Sequence, residues 1–277
     1  MPYKLTNRNV LVTGGTRGLG EVISLKFAAE GCNVAINYVS SGEKAQEMRE
    51  RMEREWGVKV ICLMGDMSQE SDCISVVKET IKEFGGLDII ISNAGYTRFS
   101  TFSDLSAPNP DDWQKCYATN VVAQSILLKE ALSTFQANDE GGVFIMTSSI
   151  AGVITGGSCM PYSVTKAAQL HLMKCLAATQ GPKVRVNAVL PGLVLTEWTQ
   201  ESSQVLPLTN DGRNQSDTRI TQGRTYSEED QEKLKDKAYL KRVTDIEDCA
   251  QAFVDIAKNS SMTGQKIQVD SGLAQNV

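Results

Sequence analysis

The chain has 277 residues, 41% of them hydrophobic and 22% charged, with a formal net charge of -5. This length supports one large α/β domain with a sizeable core, and the acidic balance argues against a nucleic-acid surface, which is normally basic. No run of about twenty apolar residues occurs, so no membrane span is expected, and Met1 to Arg8 lacks the pattern of a signal peptide. The seven cysteines, at 32, 62, 73, 116, 159, 175 and 249, form no Cys-x-x-Cys pair. They read as reduced thiols of a cytoplasmic protein. A single histidine, His171, rules out a histidine metal cluster, and no metal site is expected.

Apolar runs at Val10–Val12, Val34–Tyr38, Val58–Leu63, Leu87–Ile91, Val143–Met146 and Val184–Val189 read as buried parallel strands. Between them lie amphipathic stretches at Leu19–Glu30, Glu43–Trp56, Ser71–Phe84, Asp111–Phe135 and Tyr162–Thr179. A last helix at Ile246–Lys258 precedes a strand at Lys266–Val269. The alternation predicts an α/β fold: a single domain spanning 1–277, built on a doubly wound parallel sheet of Rossmann type with helices on both faces. One segment departs from it. Thr199 to Lys237 is long and polar, and the insertion at about 193–240 is read as a helix-bearing lid over a substrate. An exposed, unstructured insertion is the plainer alternative.

After the first strand comes Thr13-Gly14-Gly15-Thr16-Arg17-Gly18-Leu19-Gly20, then a helix. Glycines at 14, 18 and 20 allow a tight turn and close backbone approach to a diphosphate. The helix N-terminus adds unpaired N–H groups and a positive dipole end. In doubly wound sheets the end of the second strand meets the adenosine ribose. An acid there would favour NAD; here the strand ends Asn37-Tyr38-Val39-Ser40-Ser41. Arg17 can reach a 2'-phosphate, with Asn37, Ser40 and Ser41 completing its pocket. The expected cofactor is therefore NADP(H). A solvated loop arginine is the competing reading of Arg17.

Tyr162 and Lys166 stand one helical turn apart. An ammonium beside a phenol favours the phenolate and lowers the tyrosine pKa from about 10 toward neutrality. That makes a proton donor or acceptor able to work at cellular pH. Ser149, upstream in Met146-Thr147-Ser148-Ser149-Ile150-Ala151-Gly152, offers a hydroxyl for the oxygen that gains or loses the proton. Strand alternation turns Ser148 to the other face, for packing or backbone bonding.

With these motifs in order, the chain resembles the short-chain dehydrogenase/reductase family over nearly its whole length, most broadly its 3-oxoacyl-thioester reductase-like, NADP-preferring members. Thr13 to Gly20 is similar to the cofactor turn. Asp66, in Gly65-Asp66-Met67, resembles the acid that binds the adenine amino group; capping the following helix is its alternative. Asn93-Ala94-Gly95 resembles the core of the motif after the fourth strand, with Ser92 in place of the more usual first asparagine. Asn120, Ser149, Tyr162 and Lys166 resemble the catalytic tetrad, and Ser149 lies the usual thirteen residues before Tyr162. Pro191-Gly192, with Val194 and Thr196 beyond, resembles the segment that clasps the nicotinamide. Thr263-Gly264-Gln265 and Val269-Asp270-Ser271-Gly272 resemble the C-terminal strand.

The resemblance implies hydride transfer between a nicotinamide and a small-molecule carbonyl substrate. Tyr162 would be general acid and Ser149 a hydrogen-bond donor to the carbonyl oxygen. Lys166 would bind the nicotinamide ribose, and Asn120 would hold a proton-relay water beside it. An NADPH-dependent carbonyl reductase is the leading expectation. The alternatives are an NADP-linked alcohol or polyol dehydrogenase running toward oxidation, and a catalytically silent NADP-binding sensor. The family also implies a homodimer or homotetramer, formed through the helices at Asp111–Phe135 and Tyr162–Thr179. Pocket walls are expected from Tyr96, Phe99, Ile150, Ile154, Cys159, Met160, Leu193 and Trp198, though each also fits ordinary packing.

Overall fold

The computed structural model describes residues 3–196 and 228–274. Seven strands form one parallel sheet: β1 (Asn9–Val12), β2 (Asn33–Tyr38), β3 (Val60–Met64), β4 (Ile89–Ser92), β5 (Gly142–Thr147), β6 (Val184–Pro191) and β7 (Lys266–Val269). Their spatial order is β3-β2-β1-β4-β5-β6-β7. From β1 the chain builds outward through β2 and β3. It then crosses to the other side of β1 and builds outward again from β4. The crossovers diverge at β1 and β4, which opens a crevice at the carboxyl ends of those strands.

The helices are α1 (Gly18–Ala29), α2 (Gly42–Trp56), α3 (Glu70–Phe84), α4 (Pro110–Tyr117), α5 (Ala123–Ala137), α6 (Met160–Gln180), α7 (Glu228–Lys237) and α8 (Ile246–Lys258). The pleat sends alternate strand residues to opposite faces, so the sheet carries two cores. Val10, Val12, Ile36 and Ile91 pack with Phe27 of α1 and Phe253 of α8. Leu11, Ile90, Phe144 and Met146 pack with Leu127 and Phe135 of α5 and Met173 of α6. Both layers are fully buried, which is why these strands read as unbroken apolar runs rather than as alternating ones.

Two expectations change. The stretch at Asp111–Phe135 is not one helix: a π-helical turn at Ala118–Val122 separates α4 from α5. The buried Asn120 lies in that turn and bonds across to the loop after β4 and to α6, which accounts for the extra residue in the turn. The strand expected at Val58–Leu63 shifts to Val60–Met64, where its register against β2 runs from Val34↔Val60 to Tyr38↔Met64. Of the expected insertion at about 193–240, residues 193–196 and 228–240 are described, the latter including α7. No described helix is long and apolar enough to cross a membrane. All seven cysteines are free.

Candidate active site

A cavity of about 600 Å³ opens at the switch point. One end is lined by the glycine turn and by Tyr38, Ser40 and Ser41, the middle by Asn93, Ala94 and Gly95, and the other end by Ser149, Tyr162, Lys166 and Gly192. Thr16, Arg17, Leu19, Pro191, Val194 and Thr196 also line it. Motifs separated by more than 150 residues thus share one wall system.

Local forces shape the turn. Gly18 has φ +50, in the left-handed region that glycine tolerates. Gly20 packs so closely that a Cβ there would stand 2.1 Å from the Gly14 carbonyl oxygen and 2.5 Å from Asn93 Nδ2. Asn93 ties the turn to the sheet: its Nδ2 donates to Thr13 O at 3.1 Å and to Gly14 O at 3.2 Å, and its Oδ1 accepts from Thr147 Oγ1 at 3.2 Å. The Thr13 hydroxyl accepts from the backbone N–H groups of Asn93 and Ala94, both at 2.9 Å. No side chain caps α1. Its first-turn N–H groups therefore remain available to an anion. Turn, helix end and cavity volume together fit a dinucleotide.

Asn37 is corrected by the structure. It was expected to face a 2'-phosphate, yet it is 1% exposed and does not line the cavity. Its Oδ1 accepts from Gly14 N at 3.2 Å, and its Nδ2 donates to Leu63 O and Gly65 O. It braces the glycine turn against β3. Asp66 and Met67 also lie off the cavity wall. Asp66 Oδ1 accepts from Ser68 N at 2.8 Å, a turn contact just before α3, whose N-cap is Gln69, and Met67 is buried in the core.

At the opposite end, α6 starts with Cys159 as its N-cap, whose Sγ accepts from Tyr162 N at 3.4 Å. Pro161 in the first turn suits a helix start. The helix rests on a short 3₁₀ turn at Ile150–Gly152 through Ser163 Oγ, which donates to Ala151 O at 2.7 Å. Ser148 and Ser149 both line the cavity; Ser148 Oγ donates to Lys166 O at 3.2 Å, a backbone contact, and Ser149 Oγ accepts from Ala151 N at 3.1 Å. Tyr162 is 8% exposed. Lys166 is more deeply set, at 2%. Its Nζ donates to Thr147 O at 2.6 Å and to Gln169 Oε1 at 3.4 Å, and lies 5.5 Å from the Tyr162 ring centroid. Burial pushes its pKa down from 10.5 to about 7. An amine poised there changes its charge near neutrality and can govern a neighbouring phenol.

Asn120 is fully buried and off the cavity wall. Its Oδ1 accepts from Tyr96 N at 2.8 Å, and its Nδ2 donates to Tyr96 O and to Thr165 Oγ1, both at 3.0 Å. The carboxamide is taken up by protein, so Asn120 braces the loop after β4 against α6.

Of the expected substrate walls, Phe99, Ile150, Ile154 and Leu193 line the cavity. Tyr96, Cys159 and Met160 do not, and Trp198 lies outside the described residues. Tyr96 has its backbone on Asn120 and Lys115 Nζ over its ring at 4.8 Å. Cys159 faces inward as the α6 cap; a hydrogen bond from the Cys116 thiol holds its own thiol below the ordinary range. Leu234 and Lys237 of α7 and Leu273 complete the walls and were not foreseen. Leu234 and Lys237 lie in the segment read as a lid over the substrate, but its sequence does not say which of its residues face the cavity. None of the described wall residues is Asp or Glu.

Among known proteins, the 3-oxoacyl-[acyl-carrier-protein] reductase FabG of Staphylococcus aureus is 29% identical over 269 residues, covering 96% of this chain and 98% of that protein. The glucose 1-dehydrogenase of Gluconobacter oxydans is 30% identical over 283 residues, covering 98% and 94%. The crystal structure of a short chain dehydrogenase from Burkholderia cenocepacia in complex with NADP superposes with a TM-score of 0.81 at 25% identity, covering 98% of this chain and 99% of that one. The family model described as short chain dehydrogenase matches residues 8–206, the stretch that carries the glycine turn, Ser149, Tyr162 and Lys166. The chain therefore belongs to the short-chain dehydrogenase family and is an oxidoreductase acting on CH–OH and C=O groups.

Proposed function

We propose that the protein is an NADPH-dependent carbonyl reductase. The observation that carries this reading is one cavity joining Ser149, Tyr162 and Lys166 to a glycine turn whose ribose end has Arg17 and no described carboxylate. Arg17 there suits a 2'-phosphate, for which guanidinium is the matched donor. The Burkholderia relative's complex with NADP is in keeping with that choice. The Staphylococcus relative's name supports the reducing direction and a 3-oxoacyl type of ketone.

When bound, NADPH supplies the hydride that reduces the carbonyl carbon. Tyr162 gives its phenolic proton to the carbonyl oxygen as negative charge grows on it. Ser149 donates a hydrogen bond to the same oxygen. Lys166, held by Thr147 O, stabilises the phenolate left behind. Ile150, Ile154, Leu193 and Leu234 present an apolar surface to the rest of the ketone, and α7 serves as part of a lid.

The test is NADPH consumption against 3-oxoacyl thioesters, aromatic and polycyclic ketones, and sugars, with Tyr162→Phe as control. Turnover should fall by about 10²-fold or more in the variant while NADPH binding is kept; full activity there would sink the mechanism. The Gluconobacter relative's name favours a second reading, oxidation of an alcohol or polyol. The ratio of NADP-linked oxidation to reduction separates the two.

A further inference from the structure

Behind Lys166 the protein buries polar side chains that the proposed reaction does not use. Asn120 and Thr165 touch at 3.0 Å, joining the π turn to α6. Gln124 and Gln169 stand four residues further along their respective helices. Helices α5 and α6 each carry the chain from one parallel strand to the next, and both pack on the same face of the sheet, so they run in the same direction. Residues four apart lie above one another on a helix. Gln124 and Gln169 thus lie about one turn beyond the Asn120–Thr165 contact, on helices that run in the same direction.

Both glutamines are fully buried, at 0% exposure. Gln169 Oε1 accepts from Lys166 Nζ at 3.4 Å. An ammonium only donates, so it selects the carbonyl end of that amide and turns Nε2 away. Gln169 Nε2 has no partner among the described residues, and neither has Nε2 or Oε1 of Gln124. Buried amide atoms in native proteins find partners. A donor on one glutamine and an acceptor on the next are complementary.

We propose that Gln169 is a positioning residue for Lys166 and that Gln124 orients it. Gln124 Oε1 takes the Gln169 Nε2–H through one buried water, and this holds Gln169 Oε1 on the ammonium. The role rests on the reading of Lys166 as the ammonium that serves Tyr162. It has a physical purpose. Thr147 O and Gln169 Oε1 are the acceptors Lys166 has among the described residues. The titratable groups facing Lys166 are Tyr162 on its own helix and Cys116 from α4, whose thiolate would raise its pKa. Strand β5 offers only the Thr147 carbonyl, and the loop after β4 offers Gly95, beside Asn120 Oδ1. With no carboxylate contributing, the charged state of Lys166 leans on neutral acceptors.

The experiment is an NMR titration of Lys166 13Cε in cofactor-free protein made with 13C-lysine, assigned with Lys166→Arg. Gln169→Leu should lower the midpoint by about one unit. Gln124→Leu should shift it in the same direction by less, and adding it to Gln169→Leu should change little more. Gln169→Glu, of nearly equal size, should raise the midpoint and carries the test alone if the leucine variants do not fold. A midpoint unmoved by Gln169→Leu and Gln169→Glu overturns the proposal, and full additivity of the two leucine variants removes Gln124 from it. The titration needs no turnover, so its failure is distinguishable from failure of the reductase reading, which Tyr162→Phe tests.

Discussion

Replacing Lys166 by Met should abolish a pH dependence of stability that the cofactor-free protein carries. In the folded chain burial holds the Lys166 pKa at about 7, against 10.5 in the unfolded chain. Between those values the unfolded state binds one more proton than the folded state, so unfolding free energy rises with pH. One proton gives a slope of about 1.4 kcal/mol per pH unit, and across the window the rise amounts to about 5 kcal/mol. Below pH 7 both states are protonated and the full cost of burying the charge remains. Above pH 10.5 both are neutral and the cost has gone. Met is close to Lys in size and does not titrate. Urea unfolding of both proteins from pH 6 to 10.5 isolates the effect, because other titrating groups cancel in the difference. Wild type minus Lys166→Met should climb through the window, with the variant the more stable at pH 7. Parallel curves would show that Lys166 keeps its aqueous pKa when folded, and would refute the argument from burial.

Arg17→Ala should weaken NADPH by about tenfold or more and leave NADH nearly unchanged, as read by fluorescence titration; equal losses would exclude contact with a 2'-phosphate. Gly20→Ala places a Cβ 2.1 Å from the Gly14 carbonyl. It should cost about 1–3 kcal/mol in denaturation and abolish dinucleotide binding. A variant with wild-type stability and affinity would mean that the turn can open without loss.

The parts of the site that could be read in advance are those built by local rules. Gly14 sits in the turn after β1, and Gly18 and Gly20 in the first turn of α1. Tyr162 and Lys166 sit four apart on α6. Ser149 and Ser148 were told apart by spacing and by strand alternation; Ser148 does bond the backbone of α6, although both residues line the cavity. In each case the chemistry and the geometry that presents it lie within one element, so residue type and spacing carry most of the information.

The misreadings share the opposite property. Asn37 was assigned to the cofactor because it ends β2 beside Tyr38. Its amide instead satisfies backbone groups of the glycine turn and of β3, which meet it only once the sheet has formed. Cys159 was taken for a pocket wall, but its direction is set by the α6 N-terminus, whose N–H it caps. Asn120 was expected to hold a proton-relay water from within one long helix; its amide instead bonds Tyr96 and Thr165, contacts that account for the π turn.

By itself, then, the sequence determined the order of strands and helices, the parallel doubly wound sheet, the dinucleotide turn and the Tyr–Lys pair. These follow from periodicity, glycine conformation and helical spacing, which act over a few residues. Only the tertiary structure decided which polar groups face the cavity and which brace it, that Leu234, Lys237 and Leu273 close its walls, and that Lys166 is buried deeply enough for its pKa to fall to about 7. The physical reason is that a buried polar atom bonds to whichever partner folding brings within about 3 Å, and those partners here come from strands and helices far apart in the chain.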